Sequence, residues 1–330
     1  MVDLKTNYLG LSLKNPIIVG SSGLTDNSDK IKKLEDNGAG AVVLKSIFEE
    51  EITLEYEKIV AEEAPNRYKD EFLDYLDYRI KEQNINKYVE LIASAKKAVE
   101  IPVIASVNCS SKHEWTNFAK ELQEAGADAL EVNLFLLPSN LNTTPEENEK
   151  LYFDIIERLK ERIKIPIALK ISYYFSNLAL MIKKLSETGI AGLVLFNRFY
   201  SPDFDINKME VTSSNVLSHP DEMTISLRWI AIMANRVSCD LAASTGIHDG
   251  NAVVKQLLAG ANAVQTVSTI YNNGPEKIQN MLKDIKKWMI NHNFEKIDDF
   301  RGKMSQAKIG NPAAFERVQF MKYFSDKDKH

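Results

Sequence analysis

The chain has 330 residues, 44% hydrophobic and 26% charged, with 41 Lys+Arg against 46 Asp+Glu and a formal net charge of −5. That balance excludes disordered and low-complexity classes and argues against nucleic-acid and anionic-membrane surfaces, which carry a basic surplus. The length allows two domains of about 100–200 residues each, or one α/β barrel of about 250 residues with roughly 80 residues of additions.

The N-terminal stretch MVDLKTNYLG is too polar for a secretory signal. The longest apolar runs, such as Ala191–Phe196, fall far short of the about 20 residues that cross a bilayer, so a cytoplasmic protein is expected. Residues 4–13 (LKTNYLGLSL) read as a hairpin turning at Leu9-Gly10 and closing a barrel floor. Strand-length apolar runs follow near 16–20, 41–45, 101–107, 128–133, 166–172, 191–196, 239–243 and 262–267. They are continuous rather than alternating, as parallel strands covered on both faces must be. Helical periods lie near 26–37, 85–99, 113–125, 146–163, 176–187, 224–236, 249–259 and 275–291. Four helices end at Gly38, Gly126, Gly189 and Gly260, each followed almost at once by a strand. Glycine there closes a helix in the left-handed conformation without a Cβ clash.

Eight such units without a Pro/Gly/Ser-rich linker predict a single (β/α)8 barrel spanning residues 1–330. The surplus falls in the floor hairpin, in insertions after strand 2 (46–84), strand 4 (134–145) and strand 6 (197–223), and in a C-terminal helical extension, 292–330. All three insertions lie on the strand C-terminal side, where barrels carry chemistry, and imply a covered pocket. The two cysteines, Cys109 and Cys239, are too far apart in sequence for a CxxC pair and too few for a cysteine-ligated cluster. Five scattered histidines without an HxxxH pair argue against a metal site.

Strand C-termini face the site of a barrel, because the strand interiors form its packed core. Here they carry Ser21-Ser22-Gly23, Lys45-Ser46, Asn108, Asn133, Lys170 with Ser172, Asn197, Ser244-Thr245-Gly246 and Thr266-Val267-Ser268. Hydroxyls, amides and two lysines without clustered carboxylates suit an anionic, hydrogen-bond-rich small molecule rather than a divalent metal. Glu131 alone does not supply the carboxylate pair of a glycosidase. The loops after strands 7 and 8, with Thr245-Gly246 and Val267-Ser268, occupy the usual phosphate position of barrels. Lys45 and Lys170 directly follow apolar residues, where an ammonium is costly unless it has a task or a partner.

Several runs in order then match a family. Tyr8-Leu9-Gly10-Leu11, Lys14-Asn15-Pro16-Ile17, Ser21-Ser22-Gly23, the segments 104–110 and 125–133, Leu169-Lys170, Asn197 and 260–265 resemble the dihydroorotate dehydrogenase-like flavoproteins, and in part the flavin domain of dihydropyrimidine dehydrogenase. The resemblance implies FMN across the strand ends. Ser22, Gly23, Lys45 and Ser46 would lie at the ring edges and Lys170 near the flavin N1/C2 side. Asn108, Asn133 and Asn197 would bond flavin or substrate, and Thr245, Gly246, Val267 and Ser268 would hold the phosphate. Thr245 and Val267 stand where the family usually has Gly. Asn66 is placed in substrate binding together with Asn133 and Asn197.

One departure bears on the reaction. The family follows the strand 4 Asn with a motif carrying a Cys or Ser base, and Leu136 occupies that position here. Leucine cannot accept the proton that leaves with the hydride, and Ser139 is the nearest hydroxyl in sequence. The expectation is therefore an FMN-dependent oxidation of dihydroorotate or a similar dihydropyrimidine, in pyrimidine biosynthesis, with a soluble or subunit electron acceptor and a possible homodimer. Two alternatives stand beside it: a flavoprotein electron-transfer subunit without dihydroorotate turnover, and a Schiff-base lyase using Lys170 or Lys45.

Overall fold

The computed structural model describes residues 2–48, 70–108, 115–134, 136–199 and 201–316. Two short antiparallel strands, β1 (Thr6–Tyr8) and β2 (Leu11–Leu13), pair around Leu9-Gly10. Eight parallel strands follow: β3 (Ile17–Val19), β4 (Ala41–Val43), β6 (Val103–Asn108), β7 (Ala129–Asn133), β8 (Ile167–Ile171), β9 (Gly192–Leu195), β12 (Asp240–Ala243) and β13 (Ala263–Thr266). Each pairs with the next, and β13 pairs with β3, so the sheet closes into the predicted (β/α)8 barrel. The short β5 (Ile47–Phe48) extends the β4 side along β6.

The helices between strands are α1 (Ser28–Asp36), α2 (Asp70–Ala98), α3 (Trp115–Glu124), α4 (Pro145–Arg162), α5 (Leu178–Ser186), α6 (Met223–Met233) and α7 (Gly250–Ala259), followed by α8 (Ser268–Asn273) and α9 (Lys277–Asn291). Side-chain caps start several of them. Asn27, Asn177 and Asp249 accept backbone N–H groups, and Thr144 with Glu147 forms a reciprocal capping box. Gly38, Gly126, Gly189 and Gly260 all have positive φ, as the four predicted stops require.

The interior of the barrel shows why the hairpin precedes it in sequence. Ala41, Ala129, Ala168, Ala242 and Ala263 line its lower part, and Tyr8, Leu9 and Leu13 fill the space those small residues leave. Gly192 is required at this level, because a Cβ there would lie 2.5 Å from Leu9 Cδ2. The Leu9 N–H donates to Asp240 Oδ2 at 2.8 Å, fixing the turn across the floor. Leu9 is 0% exposed, so Leu9→Ala is expected to cost about 2–5 kcal/mol in urea denaturation, within the range for large-to-small core changes.

Three expectations change. Helix α2 begins at Asp70 rather than near 85, inside the predicted insertion after strand 2. From Arg67 to Ile101 the chain has neither Gly nor Pro, so nothing in the sequence stops the helix from starting early. The insertion after strand 6 contains a second hairpin, β10 (Pro202–Asp205) with β11 (Glu210–Ser213). The C-terminal extension, expected to be helical, shows only two 3-10 turns among its described residues, Ile297–Asp299 and Pro312–Phe315. Its run Arg301–Gln306 packs as backbone against the barrel wall. Gly302, Met304 and Gln306 donate N–H groups to Leu257, Leu258 and Ala231 at 2.9, 2.8 and 2.8 Å. Buried Ile297 and Phe300 complete that contact.

Candidate active site

Parallel register aligns Asn108 with Asn133 and Asn133 with Lys170. Three side chains expected separately from three strand ends therefore stand in one row at the top of the barrel. Strand alternation turns Glu131 into the same interior, below Asn133, where it is 1% exposed. Lys170 Nζ donates to Gln265 Oε1 at 2.8 Å and lies 3.7 Å from Glu131 Oε1. The Gln265 Nε2 donates in turn to Glu131 Oε2. Ammonium, amide and carboxylate thus follow one another in matched donor–acceptor order, and the amide joins two buried charges that would each be costly alone. Glu131 and Gln265 were not expected as site residues. The signal was a carboxylate inside the apolar run Ala129-Leu130-Glu131-Val132, which needs a cation on a neighbouring strand.

A serine chain ties the first three strand ends. The hydroxyls of Ser21 and Ser46 lie 2.9 Å apart, and those of Ser46 and Ser106 lie 2.7 Å apart. The Tyr88 hydroxyl donates to the Ser106 carbonyl at 2.9 Å and accepts its N–H at 2.7 Å, anchoring this chain to α2. Ser22 turns its hydroxyl back to the Gly20 carbonyl at 3.2 Å and serves its own turn. Gly23 sits beneath Tyr271, whose hydroxyl would be 2.9 Å from an added Cβ. Lys45 projects into solvent at the second strand end, while Ser46 and Asn108 are buried. Asn197 Nδ2 donates to Asn133 Oδ1 at 2.5 Å, bringing the two expected substrate amides together. Asn66 and Cys109 lie outside the described residues.

The loops after β12 and β13 form a cradle of backbone and hydroxyl donors. Thr245 and Gly246 both have φ near +75°. A Cβ on Gly246 would lie 2.2 Å from the Met223 backbone nitrogen, so only glycine fits there. Thr245 is β-branched in a region that favours glycine, and its conformation costs about 1–2 kcal/mol. Thr245→Gly is therefore expected to raise the unfolding free energy, read by urea denaturation, by up to about 1 kcal/mol, after the entropy of an added glycine is subtracted. Loss of stability in that variant would mean that the Thr245 hydroxyl bond to the Phe196 carbonyl, at 3.3 Å, outweighs the strain. Val267, at φ −141° and half-buried, carries no such strain and opens α8 ahead of Ser268.

A residue that sequence reasoning missed completes the cradle. The strap returning from β11 brings the Ser218 hydroxyl within 3.0 Å of Ser268 Oγ and 3.2 Å of His248 Nε2, while Gly246 N–H donates to it at 3.4 Å. Burial holds His248 below the ordinary imidazole value, so it meets Ser218 as a neutral ring. Arg198 lines the neighbouring cavity, and its guanidinium is held by the strap. Its Nε donates to Glu222 Oε2 at 2.7 Å, and its Nη atoms donate to the Val216 and Asn215 carbonyls at 2.8 and 2.9 Å. Partial burial pulls the Glu222 carboxyl upward, but the Arg198 guanidinium and the His219 N–H hold it below its ordinary value. The latch is therefore fully formed above the unfolded carboxylate range and is lost as pH falls through the lowered value.

These groups surround a cavity of about 340 Å³, lined by Gly246, Ser268 and Ser218 of the cradle and by Lys170, Ser21 and Asn197. Its size falls within the range of about 300–1,000 Å³ for small-molecule sites. Leu136 faces elsewhere, into an apolar cavity of about 230 Å³ with Pro138, Tyr152 and Phe175. Ser139 is exposed, its N–H bonded to the Leu137 carbonyl at 2.8 Å. Cys239 lies at the barrel floor, its thiol pushed up to about 12 chiefly by burial, so it carries no reactive thiolate. No cluster of three or more potential metal ligands occurs among the described residues, and none of their helices is long and apolar enough to cross a membrane.

The family model described as dihydroorotate dehydrogenase matches residues 3–289. The chain belongs to the dihydroorotate dehydrogenase family. It is 28% identical over 306 residues to the catalytic subunit of dihydroorotate dehydrogenase B (NAD(+)) of Thermoplasma acidophilum, covering 92% of this chain and 99% of the relative. The same protein of Thermoplasma volcanium is 28% identical over 306 residues, covering 92% and 98%. That of Methanocaldococcus jannaschii is 22% identical over 304 residues, covering 88% and 95%. The matched span contains every strand of the barrel, the cradle and the Glu131–Gln265–Lys170 chain. Membership of a dihydroorotate dehydrogenase family marks the chain as an oxidoreductase of CH–CH bonds.

Proposed function

We propose that the chain binds FMN and oxidises the ring CH–CH bond of dihydroorotate or a related dihydropyrimidine, serving pyrimidine synthesis in the cytoplasm. The observation that carries this reading is the single cavity that joins an anion cradle to a buried, paired lysine. The residues fit FMN. Gly246 and Val267 offer backbone N–H groups and Ser268 and Ser218 offer hydroxyls to a phosphate, while Thr245 holds the loop through its bond to Phe196. Ser21, Asn197 and Lys170 line the same cavity for a planar, polar ring, with Ser22, Gly23, Lys45, Ser46 and Asn108 at or just beyond the neighbouring strand ends. FMN bound there supplies a two-electron acceptor for a hydride leaving a ring carbon.

The chain's own residues have separable tasks. The Lys170 ammonium, held by Gln265 and Glu131, would offer a fixed positive charge to the negative charge that a bound flavin gains on reduction. The same two partners suit an ammonium rather than the neutral amine that Schiff-base chemistry needs, which weighs against the lyase alternative. Asn133 and Asn197 act together as a paired amide for substrate. Oxidation of a CH–CH bond also releases a proton from the adjacent carbon, and Leu136 offers no acceptor for it.

That gap favours a second reading, a flavoprotein subunit that exchanges electrons with a partner and does not turn over dihydroorotate. The relatives' designation as catalytic subunits accords with an acceptor on a separate chain. Anaerobic mixing of the yellow protein with dihydroorotate, dihydrouracil and NAD(P)H separates the two. Bleaching by a dihydropyrimidine supports turnover, and its absence with every dihydropyrimidine supports the subunit reading. A protein that stays colourless after FMN is added removes both.

A further inference from the structure

The floor hairpin reaches the candidate active site through the inside of the barrel. Tyr8 rises from the hairpin into the interior, and its hydroxyl is fully buried without a hydrogen-bond partner. Glu131 Oε1 is likewise buried and unbonded, while its Oε2 is taken by Gln265. The two orphans are complementary, a donor and an acceptor, and each costs about 1–3 kcal/mol if left unpaired. Both lie in the barrel interior, since Ala129, two residues before Glu131 on the same strand face, packs in the cluster that contains Tyr8. After burial, the Glu131 carboxylate is the next largest influence holding the Tyr8 phenol well above its ordinary value.

The other ionisable neighbours already have roles. Asp240, toward the floor, accepts the Leu9 N–H and an N–H of the Asn262 side chain, and Cys239 beside it is an uncharged thiol. Tyr88, from α2, is raised by burial and satisfied by both backbone groups of Ser106. Lys170, from β8, is directed to Gln265. Tyr8 is thus the donor left over for the free Glu131 oxygen.

We infer that Tyr8 donates to Glu131 Oε1 through one bridging water, and that Tyr8–Glu131–Gln265–Lys170 forms a continuous polar chain from the barrel floor to the site. Tyr8 is a positioning residue in this chain. By bonding Oε1, the oxygen nearest Lys170, it competes with the ammonium for that carboxylate and leaves more of the ammonium's field uncompensated at the site.

The inference rests on FMN binding for its redox readout, and its test uses Tyr8→Phe, Glu131→Gln and the double variant in the FMN-loaded full chain. Tyr8→Phe frees the carboxylate to pair with Lys170 and is expected to lower the midpoint potential of bound FMN. The corresponding change in relative affinity for reduced and oxidised FMN is about tenfold, the worth of one hydrogen bond to a charged group. Glu131→Gln removes the opposing charge and is expected to raise the potential, and Tyr8→Phe added to it is expected to change nothing further. A merely structural Tyr8 would alter stability and leave the potential in place. An unchanged potential in Tyr8→Phe, or an equal shift in the Glu131→Gln background, overturns the inference. If the wild-type chain takes up no FMN, the proposed function fails first and visibly. The urea midpoints of the same variants then decide the inference. A Tyr8→Phe cost that disappears in the Glu131→Gln background sustains the Tyr8–Glu131 link, and an undiminished cost ends it.

Discussion

Lys170→Met is expected to lower the unfolding free energy by about 3–5 kcal/mol, because it leaves the Glu131 carboxylate buried without its cation. Glu131 is 1% exposed and its nearest positive charge is Lys170 Nζ at 3.7 Å. Adding Glu131→Gln to Lys170→Met is expected to restore most of the loss, since a neutral amide can exchange hydrogen bonds with Gln265. Urea denaturation of both variants without added FMN checks the pair. The lysine would then be identified as part of the fold as well as of the site. A Lys170→Met variant within about 0.5 kcal/mol of wild type would contradict the buried ion pair, since changes that small are typical of surface substitutions. The coupling also bears on how activity data are read, because loss of turnover in a Lys170 variant would combine an electrostatic and a folding effect.

Gly246→Ala is expected to abolish the cradle while leaving the barrel folded. The added Cβ would meet the Met223 nitrogen at 2.2 Å and the Glu222 carbonyl carbon at 2.9 Å, both backbone atoms at the start of α6. Backbone cannot rotate aside as a flexible side chain does, and the φ of +75° adds strain for any Cβ-bearing residue. The loop must therefore shift and carry its N–H away from the Ser218–Ser268 hydroxyls. Losing one or two charge-assisted hydrogen bonds to a phosphate corresponds to about 10²-fold weaker FMN binding, measurable by recovery of flavin fluorescence on dilution. Far-UV circular dichroism separates this from unfolding. FMN affinity equal to wild type would place the phosphate elsewhere. Thr245→Gly, one residue earlier, tests the same loop in the opposite sense, since it relieves strain where Gly246→Ala imposes it.

Much of the architecture was legible because its signals are local. A glycine at the end of a helical period needs only its own positive φ, and all four predicted stops adopt it. Continuous apolar runs mark strands buried on both faces, so the eight barrel strands lie within two residues of their expected bounds. The start of α2 was misplaced because no Gly or Pro breaks the run between Arg67 and Ile101. The β10–β11 hairpin was missed for a different reason. Its strands are largely exposed and pair only with each other, so no apolar periodicity sets them apart from a loop.

The site divides in the same way. Strand-end polarity picked out Asn108, Asn133, Lys170 and Asn197, because a barrel strand has only one end where a polar side chain faces an open pocket. Ser218 could not be found so, since its place in the cradle depends on where a strap of nearly thirty residues returns, and the Arg198–Glu222 latch sets that return. The engagement of Arg198 by the strap was not legible for the same reason. A guanidinium beside a pocket is available only if nothing nearer claims it, and the claimant lies 24 positions further along the chain.

The length and composition left two domains or one enlarged barrel, and the order of strands, helices and glycine stops in the sequence alone selected the barrel and the face that bears the site. Those properties follow from backbone preferences and burial, which each residue expresses within a few neighbours. Only the tertiary structure decided that Lys170 is joined to Glu131 through Gln265, that Tyr8 reaches up beneath them, and that Leu136 turns away into an apolar pocket. These contacts unite residues from separate strands, and their energies depend on distances of a few ångströms that only closure of the barrel sets.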